Sequence, residues 1–296
     1  MDQALGLREG GGRFPLRRST PQLSPLGQAQ PPVRVITVSS GKGGVGKSNV
    51  VVNLAYAFDR IGKKVLILDA DLGLANIDVL LGLTPKENIT HVLQGKRHLQ
   101  EVLVNGPGSI RIMPASSGVQ ELTRLTDEQK LLFLEILDEL ESEIDILLVD
   151  TGAGISDTVL YFNVAAQERI VVVTSEPTSL TDAYALIKVL HTRHGERYFK
   201  ILVNSVPDEK TGKSVFAKIS KVADHFLDGI SLDFLGIIPH DTHVPKAVIQ
   251  QRPLLEVFPA APSAKAFYSI AEKIRKSPLN LNHGNVKFFW KRLLQV

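Results

Sequence analysis

The sequence predicts a doubly wound α/β domain, a mostly parallel sheet with helices on both faces. Two patterns carry this. Short runs rich in Val, Ile and Leu recur from residue 33 to residue 238, and most are separated by helix-length stretches with apolar residues at three and four spacing. Strands that are apolar throughout need cover on both faces, and helices joining successive parallel strands supply it. A glycine-rich loop between the first strand and the first helix is the third observation, because that setting is where such folds hold phosphate.

Val33-Arg34-Val35-Ile36-Thr37-Val38 is short, β-branched and closed by Ser39-Ser40-Gly41, as a first strand should be. A helix is predicted over residues 49–61, followed by strands over residues 64–68 and 110–113. Residues 128–140 carry a helical pattern, and further strands are expected at residues 144–149, 169–173, 200–203 and 234–238. Helical patterns over residues 181–190 and 262–275 complete the domain, which spans residues 33–276. Residues 1–32 hold five prolines and five glycines, a composition that buries no core and predicts a flexible arm. Residues 277–296 begin as a breaker-rich linker and end in one more short segment.

The 296 residues include 44% hydrophobic and 22% charged side chains, a globular mixture that excludes wholesale disorder. Lys plus Arg exceeds Asp plus Glu by only three, too little to argue for a nucleic-acid binder, and no specific nucleic acid is expected. The chain has no cysteine, which removes thiolate zinc sites, iron–sulfur clusters and cysteine nucleophiles. With no leader-like apolar region at the N-terminus and no apolar run of membrane-spanning length, a cytoplasmic protein is the expectation.

Gly41-Lys42-Gly43-Gly44-Val45-Gly46-Lys47-Ser48 fits G-x-x-x-x-G-K-S/T and sits between a strand and a helix that starts near Asn49. Glycines let successive backbone N–H groups turn toward phosphate oxygens, and the helix adds its positive end. Lys47 is placed to reach the β and γ phosphates, and the Ser48 hydroxyl to ligate Mg²⁺. The earlier lysine, Lys42, makes the loop resemble the deviant Walker A signature of the MinD/ParA ATPases, P-loop NTPases of MinD-like fold. The resemblance covers residues 33–275. It implies ATP, ADP and Mg²⁺ as ligands, and slow hydrolysis in an ATP-dependent homodimer where Lys42 reaches the partner's phosphates.

The strand at residues 64–68 runs into Asp69-Ala70-Asp71, whose carboxylates project beyond its C-terminal end. Alone the pair suits a capped turn as well as a site. Beside the phosphate loop it resembles the family's D-x-D switch, which implies that Asp71 orients the attacking water and the Mg²⁺ shell while Asp69 supports it. Ile146-Leu147-Leu148-Val149-Asp150 resembles Walker B, so Asp150 is expected to hold Mg²⁺, through water. Gly152 stands where many members of the resembled family have proline, a departure that frees the turn, leaves the aspartate in place and matches the family's flagellar-number branch. Asn204 ends a strand, and its amide both donates and accepts; the resemblance implies adenine recognition. The turn through Pro239 and Asp241 is expected beside the base.

Near the C-terminus, Val286, Phe289, Trp290 and Leu293 fall at i, i+3, i+4 and i+7, flanked by Leu294, while Lys287, Lys291 and Arg292 lie off that stripe. A basic amphipathic helix of this kind suits reversible adsorption to anionic lipid or docking on its own core. Adsorption is the leading expectation, with peripheral association at the cytoplasmic membrane. At the other end, Asp2-Gln3-Ala4-Leu5-Gly6-Leu7-Arg8 is similar to the D-Q-A-x-x-L-R activator motif of the flagellar-number (FlhG, or FleN/YlxH) branch of the MinD group. The resemblance implies that Asp2, Gln3, Ala4, Leu7 and Arg8 engage the signal-recognition-particle-type GTPase FlhF and stimulate it. Flagellar basal-body or transcription components are further partner candidates. Division-site selection and DNA segregation are the rival roles within the same group.

Overall fold

A computed structural model of the chain describes residues 32–71, 76–114, 140, 142–278 and 289–291. The first half of the described fold runs β1 (Arg34–Ser40), α1 (Lys47–Arg60), β2 (Val65–Ala70), α2 (Ile77–Leu81), α3 (Ile89–Leu93), α4 (Leu99–Val102), β3 (Val104–Asn105) and β4 (Arg111–Pro114). The second half runs β5 (Ile146–Ala153), α5 (Asp157–Ala165), β6 (Glu168–Val173), α6 (Pro177–His194), β7 (Tyr198–Val206), α7 (Glu209–Phe226), β8 (Ser231–Pro239), α8 (His243–Ile249), α9 (Leu254–Val257) and α10 (Pro262–Lys276).

Eight strands form one sheet in the order β3-β4-β2-β5-β1-β6-β7-β8. Every neighbouring pair is parallel except β3 with β4, whose two-residue edge strand the sequence pattern is too short to show. After β1 the chain moves to one side of the sheet and after β5 to the other. The crevice beyond the C-terminal ends of β1, β5 and β6 is therefore the switch point at which open α/β sheets bind ligands.

Alternation along the strands divides the core. Ile36, Val38, Val65, Ile67, Ile146, Leu148, Ile170 and Val172 face α1 and α10 on one side. Their neighbours Val35, Leu66, Leu68, Leu147 and Val149 face the other side with Phe162 of α5, while Val171, Val173, Ile201 and Val203 pack there with residues of α6 and α7. Neither α5 nor α7 is among the predicted helices: α5 is apolar nearly all round and so shows no helical stripe, whereas α7 does carry one, burying Val215, Ile219 and Ala223 on a single face. The pattern expected at residues 128–140 lies outside the described residues apart from Leu140, which is buried.

Two residues of the terminal apolar stripe are described, and they take the docked alternative. Phe289 and Trp290 are not on a free face but in the core, 0% and 2% exposed. Phe289 stacks on Phe162 at 6.4 Å between ring centroids, and Trp290 meets Phe289 edge-on at 4.9 Å. Apolar residues at helical spacing bury equally well in lipid or protein, and here α5 supplies the partner surface. Lys291 is exposed. Val286, Lys287, Arg292, Leu293 and Leu294 lie outside the described residues, as do Asp2, Gln3, Ala4, Leu7 and Arg8.

Candidate functional site

The loop of residues 41–48 leaves β1 and enters α1, and no side chain caps the helix's first turn. Its N–H groups are therefore the donors a phosphate would meet. Two glycines are required by geometry. A Cβ at Gly41 would lie 2.0 Å from the Asp182 carbonyl carbon, so α6 crosses the loop at backbone distance. Gly46 has φ +85°, and a Cβ there would lie 2.6 Å from Asn204 Nδ2.

Lys47 Nζ lies 2.6 Å from Asp150 Oδ1, with the two side chains 7% and 0% exposed. Register pairs Asp150 of β5 with Asp69 of β2, so three chemistry-bearing residues from separate segments meet at the strand ends. Burial pushes the Asp150 carboxyl above the usual range, and Lys47 and a hydrogen bond from Ser48 pull it back. Asp69 is pushed up to about 7, first by burial and then by the charge of Asp150, against N–H groups of Asp71 and Ile77 that favour the carboxylate. Asp71 lies across from the turn after β5, its Oδ1 3.6 Å from where a Cβ at Gly152 would sit.

The donor set fits Mg²⁺. Ser48 and Asp150 offer hard oxygens side by side, and Asp150 Oδ2 is buried with no hydrogen-bond partner among the described residues.

Beside the loop opens a cavity of about 330 Å³, lined by Gly44, Asn49, Glu176, Asn204, Pro239 and Asp241 among others. A larger hollow of about 600 Å³ lies along one face of α7, but no residue of the phosphate loop reaches it, so chemistry rather than size assigns the site. Asn204 belongs to β7, which continues past the expected end, and donates through Nδ2 to the Val45 carbonyl at 2.7 Å. It thus braces the loop from the side that lines the cavity.

Lys42 points within its own chain, with Nζ 2.7 Å from Glu176 Oε2 and 3.1 Å from Thr178 Oγ1. Glu176 escaped the sequence reading, since nothing local marks a glutamate 134 residues away as the lysine's partner.

Asp241 lines the cavity, but its carboxylate serves the fold. Oδ2 accepts from Ser263 N–H and Oγ at 3.2 and 2.7 Å, and Oδ1 accepts from His243 N–H at 2.9 Å. Desolvation pushes this carboxyl up, but the hydrogen bonds from Ser263 and His243 outweigh it and hold its pKa well below the usual range. A depressed folded pKa stabilises the fold above the unfolded value near 4, and that contribution is lost as pH falls toward the folded one. Asp241→Asn should therefore cost about 1–3 kcal/mol at pH 7, read by urea unfolding, with the deficit shrinking below about pH 3. Nucleotide affinity should change by less than about 3-fold, because no hydrogen bond to the base is removed.

A phosphate loop at the switch point of a parallel sheet, with a buried lysine on a strand-end aspartate, defines a P-loop nucleoside triphosphatase. The chain belongs to the ParA family, described as NUBPL iron-transfer P-loop NTPases, whose pattern matches residues 32–275. Within it the chain falls in the FlhG branch of the MinD/ParA ATPases. It is 48% identical to the antiactivator FleN of Pseudomonas aeruginosa over 89% of this chain and 94% of that protein. The flagellum site-determining protein YlxH of Helicobacter pylori is 34% identical over 88% of this chain and 90% of its own. Among solved structures, the MinC:MinD cell division complex of Aquifex aeolicus superposes with a TM-score of 0.67 at 26% identity, covering 84% of this chain and 98% of that one. With no cysteine present, the iron-transfer part of the family's description finds no thiolate here.

Proposed function

We propose that the chain is an ATP-driven switch that dimerises with ATP and Mg²⁺, binds the cytoplasmic membrane reversibly and sets flagellar number or placement. The observation that carries this reading is the 48% identity to the antiactivator FleN along nine-tenths of the chain, joined to 34% identity with YlxH. The phosphate loop and first turn of α1 hold the triphosphate, Lys47 neutralises it, and Asn204 and Pro239 border the base. Ser48, Asp150 and Asp71 hold Mg²⁺, which offsets charge on the transferring phosphoryl group. Asp71 orients the attacking water, and Lys42 leaves Glu176 to meet the partner's phosphates. Hydrolysis is slow and depends on the dimer.

Phe289 and Trp290 must leave their seat on α5 before they enter lipid, so membrane binding follows undocking of the tail. Two tails in one dimer bind far better than one, which lets dimerisation switch attachment through avidity. The arm's Asp2, Gln3, Ala4, Leu7 and Arg8 engage FlhF. Among the described residues no helix is long and apolar enough to cross a membrane.

Two measurements test the reading. Full-length protein should co-sediment with phosphatidylglycerol vesicles in ATP and Mg²⁺ but not in ADP, and Trp290→Ser should weaken this by about tenfold or more. A peptide of residues 1–20 should stimulate GTP hydrolysis by purified FlhF, and Gln3→Ala should abolish that. No stimulation by peptide or full chain would remove the arm's role, and equal sedimentation in ATP and ADP would remove the membrane switch.

A further inference from the structure

Behind the site runs a buried polar chain that the nucleotide chemistry does not use. On the face of the sheet away from α1, Asn163 Nδ2 donates to Ser39 Oγ at 2.8 Å and to the Val159 carbonyl at 2.7 Å. Ser39 Oγ lies 2.9 Å from Thr151 Oγ1, which in turn donates to the Gly152 carbonyl at 3.0 Å. Thr37 Oγ1 donates to Asn163 Oδ1 at 3.1 Å. All four residues are 0% exposed, and each hydroxyl in the chain has both a donor and an acceptor role available.

The two ends of this chain are different in kind. One is the carbonyl of Gly152, two residues past Asp150 and facing Asp71. The other is α5, where the residue before Asn163 is Phe162, the ring on which Phe289 stacks. A buried polar chain is a poor substitute for apolar packing unless every member stays satisfied, so its parts move together or not at all. The turn after β5 contains Gly154 at φ +90°, a backbone that can rearrange without side-chain strain.

We propose that Asn163, Ser39 and Thr151 form a mechanical link that positions the turn after Asp150 for hydrolysis and makes the seat of Phe289 and Trp290 on α5 depend on that turn. Asn163 and Thr151 are positioning residues, acting through the turn and through Phe162. The link rests on the nucleotide reading of the site but not on the membrane reading of the tail. Coupling is reciprocal in binding, so the docked tail in turn alters affinity for the nucleotide.

Trp290 is the only tryptophan of the chain, which makes the test direct. Acrylamide quenching of Trp290 is measured in full-length protein with and without a non-hydrolysable ATP analogue and Mg²⁺, and a fluorescent ATP analogue reports affinity separately. In the wild type the nucleotide should raise the quenching constant about 3-fold or more as the indole leaves its pocket. Thr151→Val and Asn163→Leu should lose most of that response while affinity stays within about 5-fold, and Thr151→Val should lower kcat about tenfold with KM little changed. Thr151→Ser keeps the hydroxyl and should restore both readouts. Thr37→Val removes a bond to the same asparagine but lies off the path to the turn, and should respond as the wild type does.

A wild-type Trp290 that ignores bound nucleotide would overturn the link, as would Thr151→Val and Asn163→Leu proteins that respond normally. If Thr37→Val loses the response as fully as they do, the chain is only core structure and the link is likewise overturned. Failure of the wild type to bind the fluorescent analogue would instead strike the nucleotide reading, and the link with it. Vesicle binding is scored apart, so loss of the membrane reading leaves the quenching result standing.

Discussion

Lys47→Ala should stop turnover and destabilise the fold at once. Its ammonium is the partner of Asp150 at 2.6 Å inside a pair that is almost wholly buried. Deleting it leaves a carboxylate with 0% exposure uncompensated, a loss of about 3–5 kcal/mol in comparable buried pairs. Phosphate release should fall by about 10³-fold or more, since the charge that meets the β and γ phosphates is gone. Urea unfolding and a phosphate-release assay on the same preparation read both effects. Adding Asp150→Asn separates them: the double variant should recover much of the stability, because the orphaned charge is neutralised, and none of the turnover. Turnover within a few-fold of wild type in Lys47→Ala would remove the site assignment altogether.

Asp71→Ala should separate chemistry from binding. The residue is half-buried at the strand end and faces the turn at Gly152 rather than the cavity where the base is expected. Removing a group that orients water or the metal shell should lower kcat by about 10²–10³-fold. Affinity for ATP should change by less than about 5-fold and unfolding free energy by less than about 1 kcal/mol, because no buried charge is left behind. Single-turnover hydrolysis beside equilibrium binding of a fluorescent nucleotide checks the split. A matched fall in affinity with an unchanged single-turnover rate would assign Asp71 to binding alone.

Lys47 and Asp150 each lie in a contiguous motif that the sequence displays, but it does not display their pairing: the motifs point the lysine at phosphate and the aspartate at Mg²⁺, and only the fold brings the two within 2.6 Å. Asp69 was legible as support, though not its place opposite Asp150 in the sheet register, which sets the mutual repulsion that raises its pKa. For Asn204 the sequence suggests the base, and what the structure shows is a brace on the loop at Val45. Asp241 was chosen for the base as well, yet its oxygens are taken by Ser263 and His243, a use that no local spacing announces. The terminal stripe left two destinations open, lipid or the protein's own core, since hydropathy records a preference to leave water and not where the side chain goes; Phe289 and Trp290 are buried in the core.

By itself the sequence determined the parallel α/β architecture, the phosphate loop, the Walker-type aspartate and the family, because each is written in residues adjacent along the chain: strand composition, helical period and an eight-residue loop. Only the tertiary structure decided that Lys42 rests on Glu176, that Phe289 and Trp290 dock on Phe162, and that Ser39 joins Thr151 and Asn163, which stand 112 and 124 positions away. Those contacts arise from sheet order and from which face each strand residue turns to. Such long-range pairings depend on how layers pack, and packing is a property of the folded whole rather than of any segment.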